Sequence, residues 1–142
     1  MNAVLDTNIV LDAFVFSNEA AKPLRAALEA GQLRWWATAA MREELARVLA
    51  YPQIAPRLAF YGLLPHSVLD AFDRHATLVD APAKVPLTCS DPDDQKFIDL
   101  AVSRQALLLS KDRAVLSMKK RLAPWSVQVR PALQPDDLHA FA

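Results

Sequence analysis

Short, wholly apolar runs alternate along this chain with longer stretches whose apolar residues recur at helical spacing. Ala3-Val4-Leu5 meets Asp6 at once and predicts a buried strand. Between Glu19 and Gly31, Leu24, Ala27 and Leu28 share a helical face, and Gly31 supplies the stop. Leu33 to Ala37, with Trp35 and Trp36, reads as a strand. Thr38 opens a helix that runs to about Tyr51 and ends at Pro52. A further helix spans Pro65 to Thr77, with Val68, Leu69 and Phe72 on one side. Asp91 is placed to cap a helix whose first position is Pro92 and which runs to about Gln105. Leu107-Leu108-Leu109 is a strand ending at Ser110-Lys111-Asp112. A short helix over Arg113 to Leu122 and a strand over Ser126 to Arg130 complete the pattern. Strands alternating with helices predict an α/β domain with a mainly parallel sheet covered on both faces.

Composition narrows the class. The 142 residues suit one domain, 1–142, able to bury roughly 68–70% of its unfolded surface without a disulfide. Cys89 is the single cysteine, as suits a reducing compartment, and no run approaches the ~18 apolar residues of a membrane span. The start, Met1-Asn2-Ala3-Val4-Leu5-Asp6, has no basic region, so no secretory leader is expected and the reading is a cytoplasmic chain. Sixteen basic residues balance sixteen acidic ones, so any nucleic-acid contact must be local.

The acids are where chemistry enters. Functional groups of a parallel sheet gather beyond the carboxyl ends of its strands, and Asp6 and Asp112 each follow an apolar run. Asp112 alone is explained by helix capping. On the Pro92–Gln105 helix, Asp94 shares the apolar stripe with Phe97, Ile98 and Ala101, whereas Lys96 and Asp99 are expected in solvent. Capping accounts for an acid there, but less well for an acid on the core face. On the Thr38–Tyr51 helix, Glu44 borders the stripe of Met41, Leu45, Val48 and Leu49, while Glu43 points away. Asp6, Glu44, Asp94 and Asp112 thus converge on one end of the sheet. Together they need a counter-cation, and oxygen-only ligands select Mg²⁺ or Mn²⁺. Such a site activates a bound water and stabilises a phosphoryl transition state. The competing chemistries lack their marks: there is no glycine-rich phosphate loop, and Cys89, His66, His75 and His139 have no zinc spacing and read as structural or surface residues.

Val4-Leu5-Asp6-Thr7-Asn8, Glu44-Leu45, Asp91-Pro92-Asp93-Asp94 followed by Lys96-Phe97 and Leu100-Ala101, and Leu109-Ser110-Lys111-Asp112 resemble, in that order, the PIN domain. The order and spacing look most like the ribonuclease toxins of bacterial toxin–antitoxin modules. The resemblance implies a three-layer α/β/α sandwich and Mg²⁺- or Mn²⁺-dependent endonucleolytic cleavage of single-stranded RNA. It assigns the metal and the catalysis to Asp6, Glu44, Asp94 and Asp112, with Asn8 and Ser110 supporting the site. It also implies a cognate antitoxin and a homodimer. One departure is Ser110-Lys111-Asp112 where Thr-Gly-Asp is more usual.

A different class of function is a catalytically inactive PIN-fold module that binds RNA or a protein partner; acids at all four positions count against it. A phospho-acceptor receiver places paired acids after its first strand, and a haloacid-dehalogenase-like site needs an acid where Asn8 stands. For an RNA substrate the local charge is suggestive: Lys111, Arg113, Lys119, Lys120 and Arg121 face only Asp112 in that stretch. Lys111 and Arg113 are the candidate nucleic-acid contacts because they adjoin a proposed ligand. Lys119 to Arg121 read equally well as a solvated helix face. Of Trp35 and Trp36, at least one belongs to the core, since neighbours on a strand face opposite ways.

Overall fold

The computed structural model describes residues 1–140, so Phe141 and Ala142 lie outside it, as does the side chain of His139. In chain order the elements are β1 (Asn2–Leu5), α1 (Thr7–Phe14), α2 (Lys22–Glu29), β2 (Arg34–Ala37), α3 (Ala39–Leu49), α4 (Ala55–Phe60), α5 (Pro65–His75), β3 (Ala76–Leu78), α6 (Gln95–Arg104), β4 (Leu107–Leu109), α7 (Arg113–Leu116), α8 (Lys119–Leu122), β5 (Val129–Arg130) and α9 (Pro135–Ala140). The five strands form one all-parallel sheet in the order β3-β2-β1-β4-β5. Right-handed crossovers put the helices preceding β3 on one face and α6 to α8 on the other, giving the α/β/α sandwich. β1 and β4 are central, and Val4, Leu108 and Leu109 are fully buried. Among the described residues, no helix is long and apolar enough to cross a membrane.

The order of the strands reverses between β1 and β4, so the crevice beyond their carboxyl ends is the natural site of function. Leu5 pairs with Leu109, which brings Asp6 and Ser110, the next residues of each strand, side by side. The Asp6 amide extends the ladder by donating to the Leu109 carbonyl at 2.9 Å.

The structure corrects several expected elements. The stretch from Glu19 begins as a 3₁₀ turn (Glu19–Ala21), and α2 starts only at Lys22, with Pro23 in its first turn. Its end is a Schellman closure: the Gln32 amide reaches the Ala27 carbonyl, the Gly31 amide reaches Leu28, and Gly31 takes φ +72°. The fifth helix stops at His75, and Ala76–Leu78 becomes the edge strand β3. The expected Arg113–Leu122 helix breaks into α7 and α8 around Ser117, whose hydroxyl donates to the Ala114 carbonyl at 2.9 Å. The last strand shrinks to Val129–Arg130 because Ser126 adopts a left-handed turn, φ 62°.

Lys96 and Asp99 do not face solvent. Asp99 is buried and accepts from the Val85 amide (3.1 Å) and the Gln95 side chain (2.9 Å). Gln95 also donates to the Leu87 carbonyl and accepts from the Cys89 amide. These contacts pin the long 79–91 segment to α6, and the segment delivers Asp91 to the start of the helix. At the other end of α6, Gln105 caps the helix at φ 48°, a conformation costly for any residue with a Cβ. Gln105→Gly is expected to stabilise the fold by about 0.5–1 kcal/mol, read as a higher midpoint in urea with unchanged slope.

Candidate metal centre

Three helix N-termini meet at the crevice, and each presents an aspartate. Asp6 stands at the N-cap of α1, yet its side chain does not cap the helix. Its Oδ2 instead accepts from the Ser110 hydroxyl at 2.6 Å, and the Ser110 oxygen in turn accepts from the Asp112 amide at 3.0 Å. Ser110 is fully buried, so one hydroxyl locks the ends of β1 and β4 together. Asp112 does cap α7: its Oδ1 accepts from the Ala114 amide at 2.9 Å. One oxygen of Asp112 therefore serves the helix while the residue still stands at the crevice beside Asp6 and Asp94.

At Asp94 the two readings separate. The cap of the 3₁₀ turn Pro92–Asp94 that leads into α6 is Asp91, whose Oδ1 accepts from the Asp93 amide at 3.0 Å. Asp94 has no capping bond, is 7% exposed, and its buried Oδ2 has no hydrogen-bond partner. A carboxylate left in that state is expensive unless a cation completes it. Carboxylate oxygens of Asp6, Asp94 and Asp112 lie within 4.8 Å of one another. Burial, then the charges of Asp6 and Asp112, push the Asp94 carboxyl up to about 7. Burial also raises Asp6, opposed by its hydrogen bonds from Ser110 and Thr7. Three carboxylates, one of them with a buried oxygen that lacks a partner, fit a hard divalent cation: the donors are all oxygen and the charge is in excess.

Glu44 is held beside this trio rather than within it. α3 turns Glu44 toward the crevice and leaves Glu43 exposed. One Glu44 oxygen accepts from the Thr7 hydroxyl and the other pairs with the Lys96 ammonium at 2.9 Å. Its charge still reaches Asp6. Lys96 also donates to the Asp93 carbonyl, so a single cation ties α3 to the start of α6. The sequence alone gives no signal for Thr7 or Lys96: Thr7 falls in the unpredicted helix α1, and Lys96 lies on the expected polar face of its helix. Thr38 is another polar group of this edge; its hydroxyl is buried without a partner, at the N-cap of α3.

The remaining candidates lie outside the trio. Asn8 is exposed on the first turn of α1, and Lys111 pairs with Asp12 at 2.5 Å. Arg113 is exposed at the start of α7. Trp35 is buried against Phe14 and Phe72, and Trp36 is covered by Arg34 and Arg104, so neither is free to stack on a base.

The fold recurs in a known structure. A chain of VapBC2 from Rickettsia felis, solved bound to a DNA fragment from its promoter, superposes with a TM-score of 0.59 at 15% identity. The match covers 91% of this chain and 98% of that one. No curated protein sequence matches. The profile of the PIN domain matches residues 2–114, which include β1, α3, α6, β4 and every acid of the site. A three-layer parallel sandwich with its aspartates at the β1/β4 crevice, matched over most of its length by that profile, belongs to the PIN domain family.

Proposed function

We propose that this chain is a divalent-metal-dependent endoribonuclease acting on single-stranded RNA, with Asp6, Asp94 and Asp112 holding the ion and Glu44 beside them. The observation that carries the reading is the unpartnered, buried Oδ2 of Asp94 facing two further carboxylates. A bound Mg²⁺ or Mn²⁺ supplies a water of lowered pKa and positive charge for a phosphoryl group. The chain's own residues do the rest. Ser110 fixes the rotamer of Asp6 and the backbone of Asp112 through one hydroxyl. Asp91 takes over the capping duty and so frees Asp94. Lys96 offsets the charge of Glu44, which limits repulsion within the acid group.

The resemblance to toxins of toxin–antitoxin modules, with the VapBC2 fold match, supports the toxin of such a module, partnered by an antitoxin and by a second copy of itself, and working in the cytoplasm. The test is direct. Purified protein incubated with labelled single-stranded RNA and with the same sequence as DNA should cleave the RNA in Mg²⁺ or Mn²⁺ and stop in EDTA. RNA cleavage undiminished by chelation rules out the metal mechanism. Mn²⁺ binding without cleavage of any single strand favours the inactive binding module instead.

A further inference from the structure

A cleft of about 510 Å³ opens beside the acid trio, between α1 and α4. Asn8, two residues beyond Asp6, and Lys111, the neighbour of Asp112, form its near wall. Its far wall is different in kind: Phe16, Arg57 and Tyr61. The Arg57 guanidinium carbon sits over the Phe16 ring, 3.6 Å from its centroid. Tyr61 leans on Phe16 at 6.4 Å, and Phe60, 83% exposed, meets Tyr61 edge-on at 5.2 Å.

The charges here are unequally used. The Lys111 ammonium is taken by Asp12. Among the described residues no carboxylate pairs with Arg57. An aromatic ring therefore holds a cation in place with its donors unspent, next to a half-exposed tyrosine. Guanidinium plus exposed ring is the chemistry that recognises a nucleotide of a single strand: the ring stacks on the base and the cation meets the phosphate.

We infer that the Phe16–Arg57–Tyr61 wall of this cleft is a single-stranded RNA subsite, holding a nucleotide adjacent to the one whose phosphate lies at Asp6, Asp94 and Asp112. The inference rests on the nuclease reading of the acid site and adds to it a place for the flanking chain. It also gives α4 a role, although α4 contributes nothing to the acid trio. A protein partner is the competing occupant, since tyrosine and arginine anchor protein interfaces too. Continuity with the acid trio favours RNA, because a strand bound at the trio must continue along the adjoining surface.

The probe is a 5′-fluorescein-labelled, mixed-sequence RNA 12-mer in EDTA, read by anisotropy, with Mn²⁺ binding followed separately by calorimetry. Tyr61→Ala and Arg57→Gln should each weaken RNA binding about tenfold or more. Both should bind Mn²⁺ like the wild type and, with metal present, show a raised KM against a nearly constant kcat. Arg57→Lys, which keeps the charge but loses the planar guanidinium, should fall between. Lys119→Gln on α8 should bind RNA as the wild type does. Wild-type affinity for RNA in both Tyr61→Ala and Arg57→Gln overturns the subsite and leaves the wall to a protein partner, whether or not the enzyme cleaves. Failure of the wild type to bind Mn²⁺ or cut RNA overturns the nuclease reading instead, and is told apart by those separate readouts.

Discussion

Asp94→Asn is expected to abolish RNA cleavage while making the metal-free protein at least as stable as the wild type at neutral pH. The substitution keeps the shape of the side chain, removes one charge from three crowded carboxylates and gives the orphaned position an amide able to donate to Asp6 or Asp112. The pH dependence follows from the direction of the shift. The Asp94 carboxyl is pushed from its ordinary value of 3.8 up to about 7, so the folded chain binds that proton more tightly than the unfolded chain does. The stabilisation that this proton contributes is therefore complete below the unfolded value and is lost as pH rises through about 4 to 7. Asp6, also raised, adds in the same direction. In EDTA, the wild-type melting temperature should fall across that window, and Asp94→Asn should flatten the fall. Added Mg²⁺ should then raise the wild type at pH 7.5 far more than the variant, since a ligand stabilises in proportion to its affinity for the native state. An active Asp94→Asn, destabilised to the same extent with and without metal, removes Asp94 from the site and returns it to the helix start.

The outcome at Asp94 also marks how far a sequence can be read. β1 and β4 were legible because they are uninterrupted apolar runs, as strands buried on both faces must be. α3 and α6 were legible because each keeps a polar side, and α3 carries the phase that separates Glu44 from Glu43. α1 was invisible for the opposite reason. Seven of its eight residues are buried, so it has no polar stripe against which periodicity could register. β3 was absorbed into the preceding helix because no glycine, proline or polar cluster separates His75 from Ala76. Position along the strands foretold that Asp6 and Asp112 would lie at one edge of the sheet, since topology alone brings strand ends together. The partners of Glu44 were not foretold. Thr7 and Lys96 reach it across 37 and 52 residues of sequence, and Lys96 does so from what the sequence presents as the solvent face of α6. Asp99 misled in the same way: its face of the helix is polar, yet the 79–91 segment folds over it and needs its carboxylate.

Glu44→Gln is where that unforeseen pair becomes measurable. The Glu44 and Lys96 side chains are 17% and 25% exposed, so their ion pair is sheltered from solvent rather than a surface contact. Replacing the carboxylate by a neutral amide leaves the sheltered Lys96 ammonium without its counter-charge, at a cost of about 1–2 kcal/mol. Cleavage should fall at least tenfold by the same substitution, because Glu44 both adds to the field at Asp6 and anchors Thr7 at the start of α1. Lys96→Met should also destabilise, by exposing Asp6 and its neighbours to an uncompensated fourth carboxylate. Combined, Glu44→Gln and Lys96→Met should lose less stability than the sum of the two, since neither change then strands a charge. Activity should not recover in the double variant, which separates the role of the pair in folding from the role of Glu44 at the site. Glu43→Gln, one residue away on the exposed face of α3, should stay within about 0.5 kcal/mol of wild type and cleave normally. Urea titrations of the four variants, alongside initial rates in Mg²⁺, decide the matter. Additive losses in the double variant mean that Glu44 and Lys96 do not pair in solution, and an inactive Glu43→Gln means that α3 presents its other acid to the metal.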